Sequence, residues 1–137
     1  MARLARASGG NTLAMLAAFL IPMSALTGSA VDIGRLYLVK VRLQQACDAG
    51  ALAGRKFMAD SNSATLDATA TTQARTFFAN NFPSGIMGTP AYTAATVPFT
   101  PTKTTDKQVA GTATTQVPMT VMKMFGQPTR SITVTCE

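Results

Sequence analysis

Two arginines, Arg3 and Arg6, stand before a run from residue 7 to residue 31 that holds no charged side chain, and no other feature of this 137-residue chain limits its fold as much. The middle of the run, residues 13–26, is rich in Leu, Ala, Met, Phe and Ile. A helix needs about 20 mostly apolar residues to cross a hydrocarbon core of ~30 Å, and residues 11–31 supply them. Asn11, Thr12, Pro22, Ser24, Thr27 and Ser29 make the span only moderately apolar, so protein neighbours are expected beside it. Pro22 lacks an N–H and is expected to bend or locally open the helix. Two other classes share parts of this pattern. A secretory signal would place Gly28, Ser29 and Ala30 at its cleavage site, and a soluble protein can bury an apolar helix. The length of the uncharged run favours an uncleaved anchor over both.

Charge excludes more than it assigns. Twelve Lys and Arg against six Asp and Glu give a net charge of +6, but the cations are spread along the chain and Trp is absent. A nucleic-acid binder concentrates its cations on one face beside aromatic or base-reading groups, so no nucleic-acid partner is expected. The chain has no His, which removes the commonest general base and metal ligand. Its carboxylates, Asp32, Asp48, Asp60, Asp67, Asp106 and Glu137, form no close pair in sequence. There is no C-x-x-C pair and no phosphate-cradling glycine loop. We therefore expect no enzymatic activity, cofactor, metal or small-molecule substrate. Charge leaves the orientation of the span undecided, because Arg3 and Arg6 on one side are matched by Arg35, Lys40 and Arg42 on the other.

Beyond the span, residues 31–58 contain no proline, and Ile33, Leu36, Tyr37, Leu43, Ala46, Cys47, Gly50, Ala51 and Gly54 fall close to helical spacing. The spacing predicts that the helix leaves the membrane and continues to about residue 59, with Arg35, Arg42, Gln45, Arg55 and Lys56 on its wetter faces. Residues 46–54 carry almost only small side chains, so another element can approach closely. Gly50 and Gly54, four apart, are candidate packing positions, as is Gly28 within the span; the plainer reading of Gly50 and Gly54 is packing against the chain's own sheet. Asp32 and Arg35 are one helical step apart and can pair. Tyr37 and Arg35 adjoin the lipid boundary, where an aromatic and a long cation anchor a helix.

Residues 64–81 show Leu66, Ala70, Ala74, Phe77 and Phe78 at helical intervals and end at Asn80, Asn81, Phe82 and Pro83, which predicts a second helix. Thr- and Val-rich stretches at 91–100, 108–119 and 131–137 predict three strands. Residues 100–115, with the small charged cluster of Lys103, Asp106 and Lys107, read as a hairpin loop on a solvent-facing edge. Residues 117–125 read as a short amphipathic helix ended by Gly126 and Pro128, with Met119, Met122, Met124 and Phe125 more naturally core than contact surface.

The segment GGNTLAMLAAFLIPMSALTGSAVDIGRLYLVKVRLQQACDAGALAG resembles the N-terminal segment of TadE/TadG-like proteins of tight-adherence (Flp) pilus systems. Residues 31–54 carry the most specific part: Asp32, then Gly34 and Arg35, then Tyr37, then Leu43 and Gln44, then Asp48 among alanines. The resemblance covers about the first 58 residues well and the rest in outline. It departs from type IV pilins in lacking a Glu shortly after Gly9 or Gly10, which argues against prepilin-type processing there.

The resemblance implies a pilin-like α+β protein: residues 1–10 cytoplasmic, 11–31 transmembrane, 32–59 a continuation of the helix, and 60–137 a periplasmic body with a small antiparallel sheet and one or two further helices. It places the protein in the bacterial inner membrane, with lipid and the transmembrane helices of a larger assembly as partners. With the body outside the cytoplasm, Cys47 and Cys136 become a candidate disulfide that would pin the last strand to the helix, the alternative being two buried thiols. The function implied is structural, in tight-adherence pilus assembly. The alternatives are an accessory subunit stabilising another large membrane complex, and a secreted domain released after a signal peptide.

Overall fold

The computed structural model describes residues 11–104 and 107–137. Arg3, Arg6, Gly9, Gly10 and Asp106, with the cytoplasmic assignment of residues 1–10 and the processing argument, lie outside them. Helix α1, Asn11–Phe57, is a single helix of 47 residues, about 70 Å long at 1.5 Å per residue. It runs through Pro22. Within the apolar stretch, the hydroxyls of Ser24, Thr27 and Ser29 donate to the carbonyls of Leu20, Met23 and Ala25, at 2.6, 3.0 and 2.8 Å. These three hydroxyls are thus satisfied by the helix itself, as an apolar environment requires. Arg55 and Lys56 occupy the last turn, where cations oppose the partial negative charge of the helix C-terminus.

Helix α2, Ala68–Asn81, packs on α1 through Ala70, Ala74 and Phe78. It begins later than the periodicity from residue 64 predicts because Asp67 caps it: one carboxylate oxygen accepts from Ala70 N at 2.8 Å and the other from Ala59 N at 2.9 Å. That second bond ties the start of α2 to the chain leaving α1.

Three antiparallel strands follow, β1 (Phe99–Lys103), β2 (Val109–Pro118) and β3 (Thr129–Cys136), in the order β1-β2-β3. Strand β2 alternates buried and exposed residues along its length, the period-2 signature of a sheet with one face covered. The α1 helix and α2 supply the cover. At the centre, the Phe78 and Phe99 rings stack in parallel with centroids 5.0 Å apart.

Two expectations fail here. Residues 91–98 are irregular rather than the first strand, which starts only at Phe99. They are held by the Ser84 hydroxyl, which accepts from Tyr92 N at 2.7 Å and donates to Tyr92 O at 2.9 Å. Residues 100–115 are largely strand rather than loop, because a run of Thr and Ala with small residues facing inward suits a sheet packed closely on helices. Pro101 is accommodated because β1 is an edge strand, paired only with β2.

The segment 117–125 is also not one helix. Val117 and Pro118 end β2, and only Met122–Phe125 forms a short 3-10 turn, closed by Gly126 at φ +80°. Met119 is buried, but Met122, Met124 and Phe125 are exposed, so three of the four large apolar residues are surface and not core. A second 3-10 turn, Ile86–Gly88, follows α2.

Candidate functional site

The face of α1 just past its apolar stretch clasps the rest of the chain. Asp32 is 2 % exposed. Its carboxylate accepts three backbone N–H groups, from Thr120 at 2.9 Å, Val121 at 2.8 Å and Met122 at 2.9 Å. These open the Met122–Phe125 turn, so one anion satisfies N–H groups that would otherwise be orphaned. The N–H groups, Met122 first and then Thr120, hold the Asp32 carboxyl below its ordinary value of 3.8 against the opposing effect of desolvation.

One turn back along α1, Gly28 receives the Val121 side chain. A Cβ there would lie 2.4 Å from Val121 Cγ2. Gly28 is therefore a packing position, but its neighbour is a turn of its own chain and not a second helix. A cavity of about 340 Å³ opens beside this contact, lined by Ser29, Asp32, Ile33, Leu36, Met119, Met122, Gln127, Thr129 and Arg130.

One turn forward, Arg35 does not pair with Asp32 but turns to the body. Its Nε donates to Met87 O at 3.0 Å, Nη2 donates to the same carbonyl, and Nη1 donates to Pro118 O at 3.3 Å. Met87 and Gly88 both have positive φ, 50° and 74°. The positive φ favours glycine at Gly88, and a Cβ there would stand 2.6 Å from Arg35 Nη2 and displace the guanidinium. The guanidinium thus joins the turn after α2 to the end of β2.

Farther along, Gln44 Nε2 donates to Asp48 Oδ1 and to Thr135 O, both at 3.0 Å. Asp48 thereby aims the Gln44 amide at β3. Leu43 is fully buried in the core. Cys47 and Cys136 form a disulfide across a sequence separation of 89, with their Cα atoms 5.8 Å apart, fastening the end of β3 to the C-terminal part of α1. Gly50 and Gly54 complete the surface: a Cβ at Gly50 would lie 2.7 Å from the Phe99 ring, and one at Gly54 3.0 Å from Val109. Both glycines face the chain's own body.

Of the motif residues, Asp32, Arg35, Leu43, Gln44 and Asp48 therefore converge on one task, holding the body to the helix. Gly34 and Tyr37 do not join them. Gly34 has nothing within 4 Å of where a side chain would start, and Tyr37 is 66 % exposed. Ile33 is exposed as well, because the body rests on the face of Asp32, Val39 and Leu43, about 100° round the helix from it. The partners of the clasp, Met87, Gly88, Pro118 and the 120–122 backbone, carried no sequence signal, since backbone carbonyls and N–H groups are available from any residue. Gly111 was missed for a similar reason: a Cβ on it would lie 2.3 Å from the Phe99 ring, a need set by tertiary packing alone.

Chemically, the arrangement binds and holds. The Asp32 carboxylate and the Arg35 guanidinium are both engaged with backbone groups of the body. Among the described residues no group of three or more Cys, Asp or Glu is placed to hold a metal ion.

One helix is long and apolar enough to cross a membrane, and its apolar window contains no buried residue. Residues 10–74 match the family described as "Putative Flp pilus-assembly TadE/G-like". No curated protein and no solved structure matches the chain. The match runs from the apolar stretch through the clasp residues of α1 and into α2, so the similarity to that family lies in the N-terminal segment.

Proposed function

We propose that this chain is a single-span, pilin-like structural protein of tight-adherence pilus assembly that performs no chemistry. Residues 11–31 lie in the bacterial inner membrane, 32–59 carry the helix out of it, and 60–137 form the body on the periplasmic side. The observation that carries the proposal is the TadE/G-like match laid over this geometry: the matched segment comprises a bare apolar half-helix and a half-helix whose motif residues hold a folded body. The Cys47–Cys136 disulfide supports the periplasmic side, where such bonds persist. The exposed Leu16, Phe19, Leu20, Met23 and Leu26 give the span a surface for lipid and for the transmembrane helices of a larger assembly.

The test is a photo-crosslinking residue at Leu26 in intact cells, followed by carbonate washing of the membranes. The protein should stay with the washed membranes and crosslink to components of the pilus machine. Crosslinks confined to an unrelated membrane complex would favour an accessory role there. A freely soluble product lacking residues 11–31 would overturn the anchor.

A further inference from the structure

The turn Met122–Phe125 and the Val121 that leads into it lie alongside the end of the apolar stretch. Val121 sits on Gly28, and Gly28 lies within residues 11–31, four residues and about 6 Å before Asp32 along the helix. The turn therefore stands at the level of the last helical turn of the span. Its leading side chains are apolar and bare: Met124 is 84 % exposed and Phe125 66 %. Large apolar side chains left in water at such a place lose the stabilisation that burial gives in proportion to apolar area. The cations Lys123 and Arg130 flank them and are exposed, and residues 107–136 contain no acidic residue. An apolar tip with adjoining cations is the composition of an element that rests in the headgroup region, rings and thioethers below and cations at the phosphates.

We infer that the Met122–Phe125 turn is a second membrane contact, inserted in the same leaflet from which α1 emerges. This rests on the reading of residues 11–31 as a transmembrane span. The occupant of the exposed patch is the phospholipid bilayer, on the grounds of the turn's seat on Gly28 at the end of the apolar stretch and its positive charge. The three N–H bonds at Asp32 have a role in this arrangement: they lock the turn to the helix at fixed depth and satisfy a carboxylate at the edge of the lipid. The body is thus held at two points, by the helix and by the turn, which restrains the tilt of helix and body against the membrane.

The chain has no Trp, so a single introduced Trp reports its own depth. Three variants of the full chain, Phe125→Trp, Leu20→Trp and Leu52→Trp, are reconstituted in phosphatidylcholine vesicles containing lipids brominated near the headgroup or deep in the acyl chain. All three replace exposed residues, and Met124→Trp serves as a second probe of the turn. Leu52 lies twenty residues past Asp32, about 30 Å along the helix, and should be quenched by neither lipid. Leu20→Trp should be quenched most by the deep bromines. Phe125→Trp and Met124→Trp should show blue-shifted emission quenched most by the shallow bromines. If Leu20→Trp is quenched while both turn probes behave like Leu52→Trp, the span is in the bilayer and the inference about the turn is wrong. If Leu20→Trp is not quenched, the membrane reading itself fails, and the inference with it.

Discussion

The two halves of α1 are built on opposite plans. From Leu13 to Val31 its large side chains, Leu, Ile, Phe, Met and Val, point outward and remain bare. From Asp32 to Gly54 the side chains that face the body are mostly small, Ala46, Cys47, Gly50, Ala51, Ala53 and Gly54, and they are buried. One half presents bulk outward, as the proposed membrane span would to lipid; the other removes bulk so that a sheet and a second helix can lie against it. Hydrophobicity alone therefore does not tell where this helix is packed, and side-chain size does. Breaking the packed half should unfold the body and leave the bare half unaffected.

The largest such effect is expected from the disulfide. Closing a loop of 89 residues stabilises by about 4 to 5 kcal/mol in the chain-entropy model. Replacing both Cys47 and Cys136 with Ser should lower denaturant stability of the body by about that much, with the additional loss that two hydroxyls enter a buried site. Urea unfolding in detergent micelles, followed by hydrogen exchange of β2 amides, measures it. An unchanged midpoint would show that the clasp residues alone hold β3 on the helix.

Next in size is Gly50→Ala. The new methyl would stand 2.7 Å from the Phe99 ring and 3.0 Å from the Ala74 carbonyl, and the ring is itself confined against Phe78 and Gly111. Overpacking of this kind costs about 1 to 3 kcal/mol. A ring and a backbone carbonyl cannot easily give way, so the cost lies towards the upper end of that range and exceeds the gain of at most about 1 kcal/mol that alanine brings to a helix interior; the midpoint should fall.

Arg35→Lys should follow at about 1 to 2 kcal/mol. A lysine brings one ammonium where the guanidinium fork reaches two carbonyls, Met87 O and Pro118 O, on separate segments. The site is partly open to water, which keeps the loss at the lower end for a charged donor. Faster exchange of the amides around residues 86–89, with β1 unchanged, would locate the effect.

Asp32 gives a local effect with a defined pH sense. Its folded carboxyl lies below the ordinary 3.8, so its contribution is fully present above that value and is lost as pH falls through the lower folded value. Exchange at the Thr120, Val121 and Met122 amides should accelerate in that acid range. Asp67 is lowered as well, by the Ala70 and Ala59 N–H groups, but its loss would appear at the start of α2. In Asp32→Asn the 120–122 amides should exchange faster at neutral pH and lose their own acid transition, while that at Asp67 remains.

How much of this was legible in sequence follows from the kind of signal each element carries. The long helix, the second helix, β2 and β3 were legible because periodicity and β-branched composition are local. The cap at Asp67 and the start of β1 at Phe99 were not: a run of Ala and Thr fits helix, strand or loop equally until a neighbour decides. The motif from Asp32 to Asp48 was visible as a pattern, yet its use was hidden, since its partners are backbone groups far away in the chain. The Met122–Phe125 turn was misread as core because Met and Phe usually are. Its exposure depends on where the turn lies relative to the span, which only the fold determines.

Gly34 offers the finest test of the contrast between a packed and a bare face, because it lies on the same helix as Gly50 and carries the opposite expectation. Nothing lies within 4 Å of its absent side chain, and the neighbouring Tyr37 and Leu38 are exposed. With no clash to oppose it, alanine should contribute only its helix preference, a gain of up to about 1 kcal/mol. Gly34→Ala should therefore raise the unfolding midpoint slightly where Gly50→Ala lowers it. If the open face at Gly34 meets another helix in the assembled membrane complex, the same variant should weaken crosslinking from Leu26 while the isolated protein becomes more stable. A loss of stability in the isolated chain would instead mean that its own body packs on this face, and the division of α1 into covered and bare sides would have to be redrawn at that residue.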